Sequence, residues 1–378
     1  MPESVRSRSY PSLLVAALLV AACGSETPTG RTVDHVGETD DDATDDDLVG
    51  DDTEDDADDE STAKVDAGSK PKDAGATRID AGTPVKVDAG TPAKVDAASP
   101  DAGAVKADAA VTTGDAGGTT VVVGKGECCS DGDCLCHGPA PTELTAKAGP
   151  FKTAELKLSL GTVYYPTDAE PPFAAIALCA GFTNTGPEMA DWGPMYASHG
   201  IVTIITTTGA ADDPGTRGTK LLAAIAQLKT ENSGTSSPLA GKLSGRYGTS
   251  GYSMGGGGTT MASGTDATLK TSIGLAAWGG TGRNVKVPTL LLCGGSDTVA
   301  PCNMSEPVYT AITEPTPKMM ISIPGVTHFD WFGPLDAGMG TSGKYALAFQ
   351  KVYLEGDERW KPLLLSKPSS GTMTTNIK

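Results

Sequence analysis

The chain has 378 residues and a formal net charge of −18, but twelve Asp and three Glu fall between Glu38 and Glu60 with no Lys or Arg, while residues 126–378 carry 18 basic and 21 acidic residues. The acidity is therefore local, and no basic stripe exists to neutralise phosphates, which excludes a nucleic-acid partner. The one strong apolar run, Leu13 to Ala22, is too short to span a bilayer, which excludes a multi-pass membrane protein.

Residues 1–22 read as an export signal: Arg6 and Arg8 form a positive n-region, Leu13 to Val20 an apolar core, and Ala21-Ala22 the small residues that signal cleavage needs. Val20-Ala21-Ala22-Cys23 resembles the bacterial lipobox. That resemblance implies a diacylated Cys23, firmly held because two chains anchor where one does not. Gly24, not Asp, follows, which by the same resemblance implies outer-membrane sorting. The expected location is the bacterial cell envelope through this anchor, or the exterior if the signal is an ordinary secretory one.

Residues 23–125 are expected to be a solvated, disordered stalk. The acidic run repels itself. It is followed by a degenerate repeat, Asp66-Ala67-Gly68, Asp73-Ala74-Gly75, Asp80-Ala81-Gly82 and Asp88-Ala89-Gly90, with further copies at 101–103 and 115–117. No large apolar residues recur at a and d positions, so no coiled-coil seam forms. Calcium binding by the Asp repeats is the rival reading.

Residues 126–137 form a Cys-rich lead-in, Cys128-Cys129-Ser130-Asp131-Gly132-Asp133-Cys134-Leu135-Cys136-His137. Its composition suits zinc. Its spacing lacks paired C-x-x-C knuckles, and an exported chain favours disulfides, so no metal is assigned. Cys179 and Cys293 each end an apolar run and could each be a small buried core residue.

From 126 to 378 the pattern is that of a catalytic domain. Strands are expected at Phe173–Cys179, Ile201–Thr206, Tyr247–Tyr252, Thr271–Ala277, Val287–Cys293 and Lys318–Ile323, and a helix over Gly218–Asn232. Continuous apolar strands separated by helices predict an α/β fold: a mostly parallel central sheet with helices on both faces.

Gly251-Tyr252-Ser253-Met254-Gly255 lies between a strand and a small-residue helix, the context of a G-x-S-x-G nucleophile elbow in an α/β-hydrolase fold. A serine hydroxyl needs a positioned base. Of the four His, His35 lies in the stalk, His137 borders the Cys cluster, and His199 sits at a helix end, where a cation would satisfy the dipole. That leaves His328. The chain order Ser, Asp, His of this fold selects Asp297, after a strand and before the base. Asp330, two residues from His328, is the other candidate acid. The oxyanion donors are expected to be the backbone N–H groups of Met254 and Phe182, the latter in the loop after the third strand.

The blocks Gly138-Pro139-Ala140-Pro141-Thr142, Gly181-Phe182-Thr183, Arg217-Gly218, the elbow, Asp297-Thr298-Val299-Ala300-Pro301 and Thr327-His328-Phe329 together resemble the bacterial cutinases and polyester hydrolases of the polyethylene terephthalate hydrolase type. The resemblance covers His137 to about Leu365. It implies Ser253, Asp297 and His328 as catalytic triad, Phe182 and Met254 as oxyanion hole, and Trp278 with Phe182 as substrate contacts. No cofactor is expected, since the triad needs no metal, and the chain is expected to be a monomer. Tyr252 stands where the family usually has His, and Phe182 where it often has Tyr.

Only Gly279 to Lys286 separates Trp278 from the next strand, too few residues for a helical lid. An open, shallow, apolar-lined site of this kind suits chain-like or polymeric esters and needs no interfacial activation; the expected partner is an ester substrate, polymeric or lipid. The expected activity is therefore a serine ester hydrolase of cutinase or polyesterase type. The alternatives are a carboxylesterase, triacylglycerol lipase or acetylhydrolase of the same fold, and a non-catalytic binding module on a hydrolase scaffold.

Overall fold

The computed structural model describes residues 128–129 and 132–378. The export segment, Cys23, His35 and the stalk lie outside the described residues. Nine strands form one sheet: β1 (Thr153–Leu158), β2 (Gly161–Pro166), β3 (Phe173–Cys179), β4 (Ile201–Thr206), β5 (Leu243–Tyr252), β6 (Thr271–Leu275), β7 (Thr289–Gly294), β8 (Lys318–Ile323) and β9 (Thr372–Thr375). Their spatial order is β1-β2-β4-β3-β5-β6-β7-β8-β9. The central strands from β4 to β8 pair in parallel, and β1, β2 and β9 close the two edges antiparallel.

Helices cover both faces, because each central strand is apolar on both. Ile176 and Leu178 of β3 pack with Trp192 and Tyr196 of α1 (Trp192–Ser198) and with α5 (Thr341–Phe349). Ala175, Ala177 and Cys179 point the other way, toward Leu221, Ile225 and Leu228 of α2 (Pro214–Ser233). The remaining helices are α3 (Met254–Thr265), α4 (Cys302–Ala311) and the short α6 (Lys361–Leu364). No helix interrupts residues 276–288 between β6 and β7, so the site has no lid there.

Element ends differ from expectation for local reasons. α2 starts at Pro214, not Gly218, because Asp213 caps it by accepting from Gly215 N (2.8 Å) and Thr216 N (3.2 Å). β7 starts at Thr289, after Pro288, which has no N–H to donate to a ladder. β6 stops at Leu275 because Ala276 turns left-handed, at φ 45°.

The lead-in is closed by two disulfides, Cys128–Cys136 and Cys129–Cys134. It is tied to the domain body by Leu135 N to Glu355 O (2.8 Å), Glu358 N to Cys128 O (2.8 Å) and Arg246 to Asp133 (3.1 Å). Cys293 is not a lone core residue: it bridges to Cys302. Among the described residues Cys179 is the free thiol; it is buried, and burial pushes it up to about 12, so it is inert as a nucleophile.

His199 corrects another expectation. It caps α1, but burial, and next Lys351, lower it to about 4, so it is neutral. The cation at this helix end is Lys351, whose Nζ donates to His199 O and to Glu355 Oε2 (2.7 Å).

Candidate active site

Ser253 sits between β5 and α3 with φ 54° and ψ −119°, a conformation that L side chains rarely adopt and that neighbouring packing must hold. The glycines around it make this possible. A Cβ on Gly251 would lie 2.4 Å from Gly255 O, and one on Gly181 would lie 2.7 Å from Ser253 Cβ. Gly257 lets α3 meet Trp278 O, which a Cβ would approach to 2.1 Å. The Ser253 carbonyl accepts from Gly257 N (3.0 Å) and Trp278 N (2.9 Å), which clamps the bend.

Three expected residues converge at the carboxyl end of the sheet. His328 Nε2 lies 2.9 Å from Ser253 Oγ, and His328 Nδ1 lies 2.8 Å from Asp297 Oδ2. All three are buried, at 4–6% exposure, so their mutual bonds are little weakened by water. A carboxylate facing Nδ1 fixes the proton on that nitrogen and leaves the Nε2 lone pair for the hydroxyl. Burial pushes the Asp297 carboxyl up. The hydrogen bond and charge of His328 and the amides of Ala300 and Val299 outweigh it and hold the group below the usual carboxylate range. Those amides donate to Oδ1 at 2.7 and 2.8 Å.

The acid and base loops are stitched together. Gly295 N donates to Ile323 O (2.8 Å) and Ser296 N to Val326 O (2.9 Å). Asp330 does not reach the imidazole. Its Oδ2 accepts from Thr327 N and Thr327 Oγ1, both at 2.7 Å, and braces the loop instead. Trp331, fully buried, donates from Nε1 to Thr327 O (2.9 Å).

Met254 opens α3, so its N–H has no partner within the helix. Phe182 follows β3 in the loop that Gly181 brings against Ser253. Among the described residues neither amide has an acceptor. Phe182 and Trp278 are both partly exposed. Tyr252 has a role that sequence reasoning missed. Its hydroxyl donates to His328 O (2.7 Å), and its ring lies 5.1 Å from the imidazole. The signals were its position next to the nucleophile and its standing where the resembled family usually has His. Burial, then Asp297, pushes its phenol up, so it stays a donor.

A mostly parallel sheet in this strand order, with an elbow serine at the carboxyl edge and an imidazole and carboxylate in line, defines an α/β-hydrolase. The family described as PET hydrolase-like matches residues 130–378. The chain is 33% identical over 248 residues to bis(hydroxyethyl) terephthalate hydrolase of Streptomyces coelicolor, covering 61% of this chain and 77% of that protein. It is 34% identical over 253 residues to cutinase est1 of Thermobifida alba, covering 63% and 83%. It is 32% identical over 250 residues to cutinase cut1 of Thermobifida fusca, covering 62% and 76%. The chain belongs to the PET hydrolase-like family.

Proposed function

We propose that this chain is a serine ester hydrolase of cutinase or polyesterase type. The observation that carries the reading is the continuous line from Ser253 Oγ through His328 to Asp297, at 2.9 and 2.8 Å. Ser253 Oγ attacks the ester carbon while its proton passes to His328 Nε2. The carbonyl oxygen becomes an oxyanion and takes hydrogen bonds from the Phe182 and Met254 N–H groups, at the α3 N-terminus where the helix dipole also favours negative charge. The tetrahedral adduct collapses, and the leaving alcohol takes the proton from His328. Water then gives a proton to His328 and attacks the acyl-serine; the second adduct collapses, His328 returns that proton to Ser253 Oγ, and the acid is released. Asp297 holds the imidazole tautomer throughout.

The substrate class follows from two supports. Relatives are named for a terephthalate diester and for cutin, and no helix closes the site between β6 and β7. Trp278 and Phe182 would line the acyl group. Three disulfides among the described residues favour an oxidising compartment, which supports export, with residues 126–378 as the catalytic unit. The lipid anchor at Cys23 and the stalk complete this reading from sequence.

Ser253→Ala is expected to lower p-nitrophenyl butyrate turnover by about 10⁴-fold or more. Unchanged turnover in the folded variant would falsify the assignment. A panel of polycaprolactone film, tributyrin and a long-chain triglyceride tests the substrate class. Film clearing with a preference for short acyl chains is expected, and turnover confined to soluble esters or long-chain lipid would favour the carboxylesterase or lipase alternative.

A further inference from the structure

Arg217, on the first turn of α2, is fully buried. A guanidinium offers five N–H donors, and all five are used. Nε donates to Asp212 O (2.9 Å), Nη1 to Ala180 O (2.8 Å) and Thr208 Oγ1 (2.7 Å), and Nη2 to Gly209 O (3.0 Å) and Ala210 O (3.3 Å). None of these acceptors is a carboxylate. The Asp212 and Asp213 carboxylates lie near enough to favour the cation without bonding to it, and a buried charge is expensive unless its donors are met; here loop carbonyls meet four of the five.

Those acceptors belong to two loops. One, residues 180–185, follows β3 and carries Phe182. The other, residues 208–212, follows β4. Further bonds join them: Thr183 N to Ala210 O (2.8 Å), Thr208 N to Thr185 O (3.0 Å) and Thr208 Oγ1 to Asn184 O (3.4 Å). The Ala180 carbonyl held by Arg217 fixes the peptide that enters Gly181. The Gly181 carbonyl accepts from Asn184 N (3.2 Å). A trans peptide points its N–H opposite to its C=O, so this second bond sets the direction of the Phe182 N–H.

We infer that Arg217 is a positioning residue for the oxyanion hole, holding the loop after β3 so that the Phe182 N–H stays aimed at the acyl oxygen beside Ser253. The inference rests on the proposed function and adds a residue that touches no substrate. Lys cannot replace it, because an ammonium has three donors and no planar fork.

The test is Arg217→Lys in the full chain, assayed with p-nitrophenyl butyrate and with phenylboronic acid, which adds to a serine hydroxyl as a tetrahedral anion. Loss of one oxyanion donor costs about 10²–10³-fold in kcat, so a misaimed one is expected to cost about 10–100-fold. KM should stay within about twofold, and boronate affinity should fall by the same factor as kcat. A folded variant with unchanged kcat, or with lower kcat but unchanged boronate affinity, overturns the inference, since a smaller folded fraction lowers turnover without weakening each site. Where Arg217→Lys does not fold, Thr208→Val deletes one acceptor and is read the same way, with about a threefold loss expected. Active Ser253→Ala would sink the hydrolase reading, whereas inactive Ser253→Ala beside a fully active Arg217→Lys would sink only this inference.

Discussion

Two histidines at opposite ends of the sheet each face a buried carboxylate at 2.8 Å, His328 with Asp297 and His137 with Glu355. The difference lies on the other ring nitrogen. His328 Nε2 faces the Ser253 hydroxyl, a proton donor. His137 Nε2 faces the Glu170 carbonyl at 2.9 Å, an acceptor. Only the first arrangement can take a proton from a neighbour. The second has the same pair of residue types and can only clamp. Its ring packs 5.2 Å from Phe173 at the start of β3, and its partner Glu355 is held in turn by Lys351. A histidine–carboxylate pair therefore says little about chemistry until the second nitrogen is accounted for.

The largest effect separates the two. His328→Gln is expected to lower kcat for p-nitrophenyl butyrate by about 10⁴-fold or more with little change in Tm. His137→Gln should leave kcat within about threefold and lower stability, because it strips one partner from a buried carboxylate. Urea unfolding alongside the assay measures both. A folded His137→Gln enzyme without turnover would break the contrast.

The next effect concerns what braces each end. At the Ser253 end the Cys293–Cys302 bridge brackets Asp297. Closing so short a loop is worth about 2–3 kcal/mol through the unfolded chain. Cys293→Ala with Cys302→Ala should remove about that much in urea unfolding. It should also lower kcat more than it changes KM, because the bridge spans the loop that carries Asp297. An unchanged unfolding midpoint would show that the bridge contributes nothing.

The elbow was readable in the sequence because its requirements are local: two glycines flanking a serine, an apolar strand before it and a small-residue helix after it. Elimination among four histidines pointed to His328, and chain order to Asp297, the two side chains that meet at 2.8 Å beside Ser253. The edge strands β1, β2 and β9 were not readable. β1 alternates exposed and half-exposed residues, and β9 has four residues, three of them Thr. Nor were the fixtures that depend on backbone groups far away in sequence: Arg217 on the Ala180 carbonyl, Tyr252 on the His328 carbonyl and His199 on the Lys147 carbonyl. Every residue carries a carbonyl, so such partners leave no mark in composition or spacing.

His199 shows how that blindness reversed a sign. A histidine at a helix end suggests a cation there, yet Lys351 already occupies that place and burial holds the imidazole near 4, below its ordinary value of about 6.5. Between those values the unfolded chain binds a proton that the folded one refuses, so unfolding free energy rises with pH across that window. The stabilisation is fully present above about 6.5 and declines as pH falls toward 4. One such group contributes a slope of at most about 1.4 kcal/mol per pH unit. His199→Gln keeps a donor for Lys147 O and removes the titration. The difference between its unfolding curve and that of the native chain, taken from pH 4 to 7, should therefore flatten above about 6.5 and slope below it. Parallel curves over the whole range would mean that His199 titrates alike folded and unfolded, and that the helix end tolerates a second cation after all.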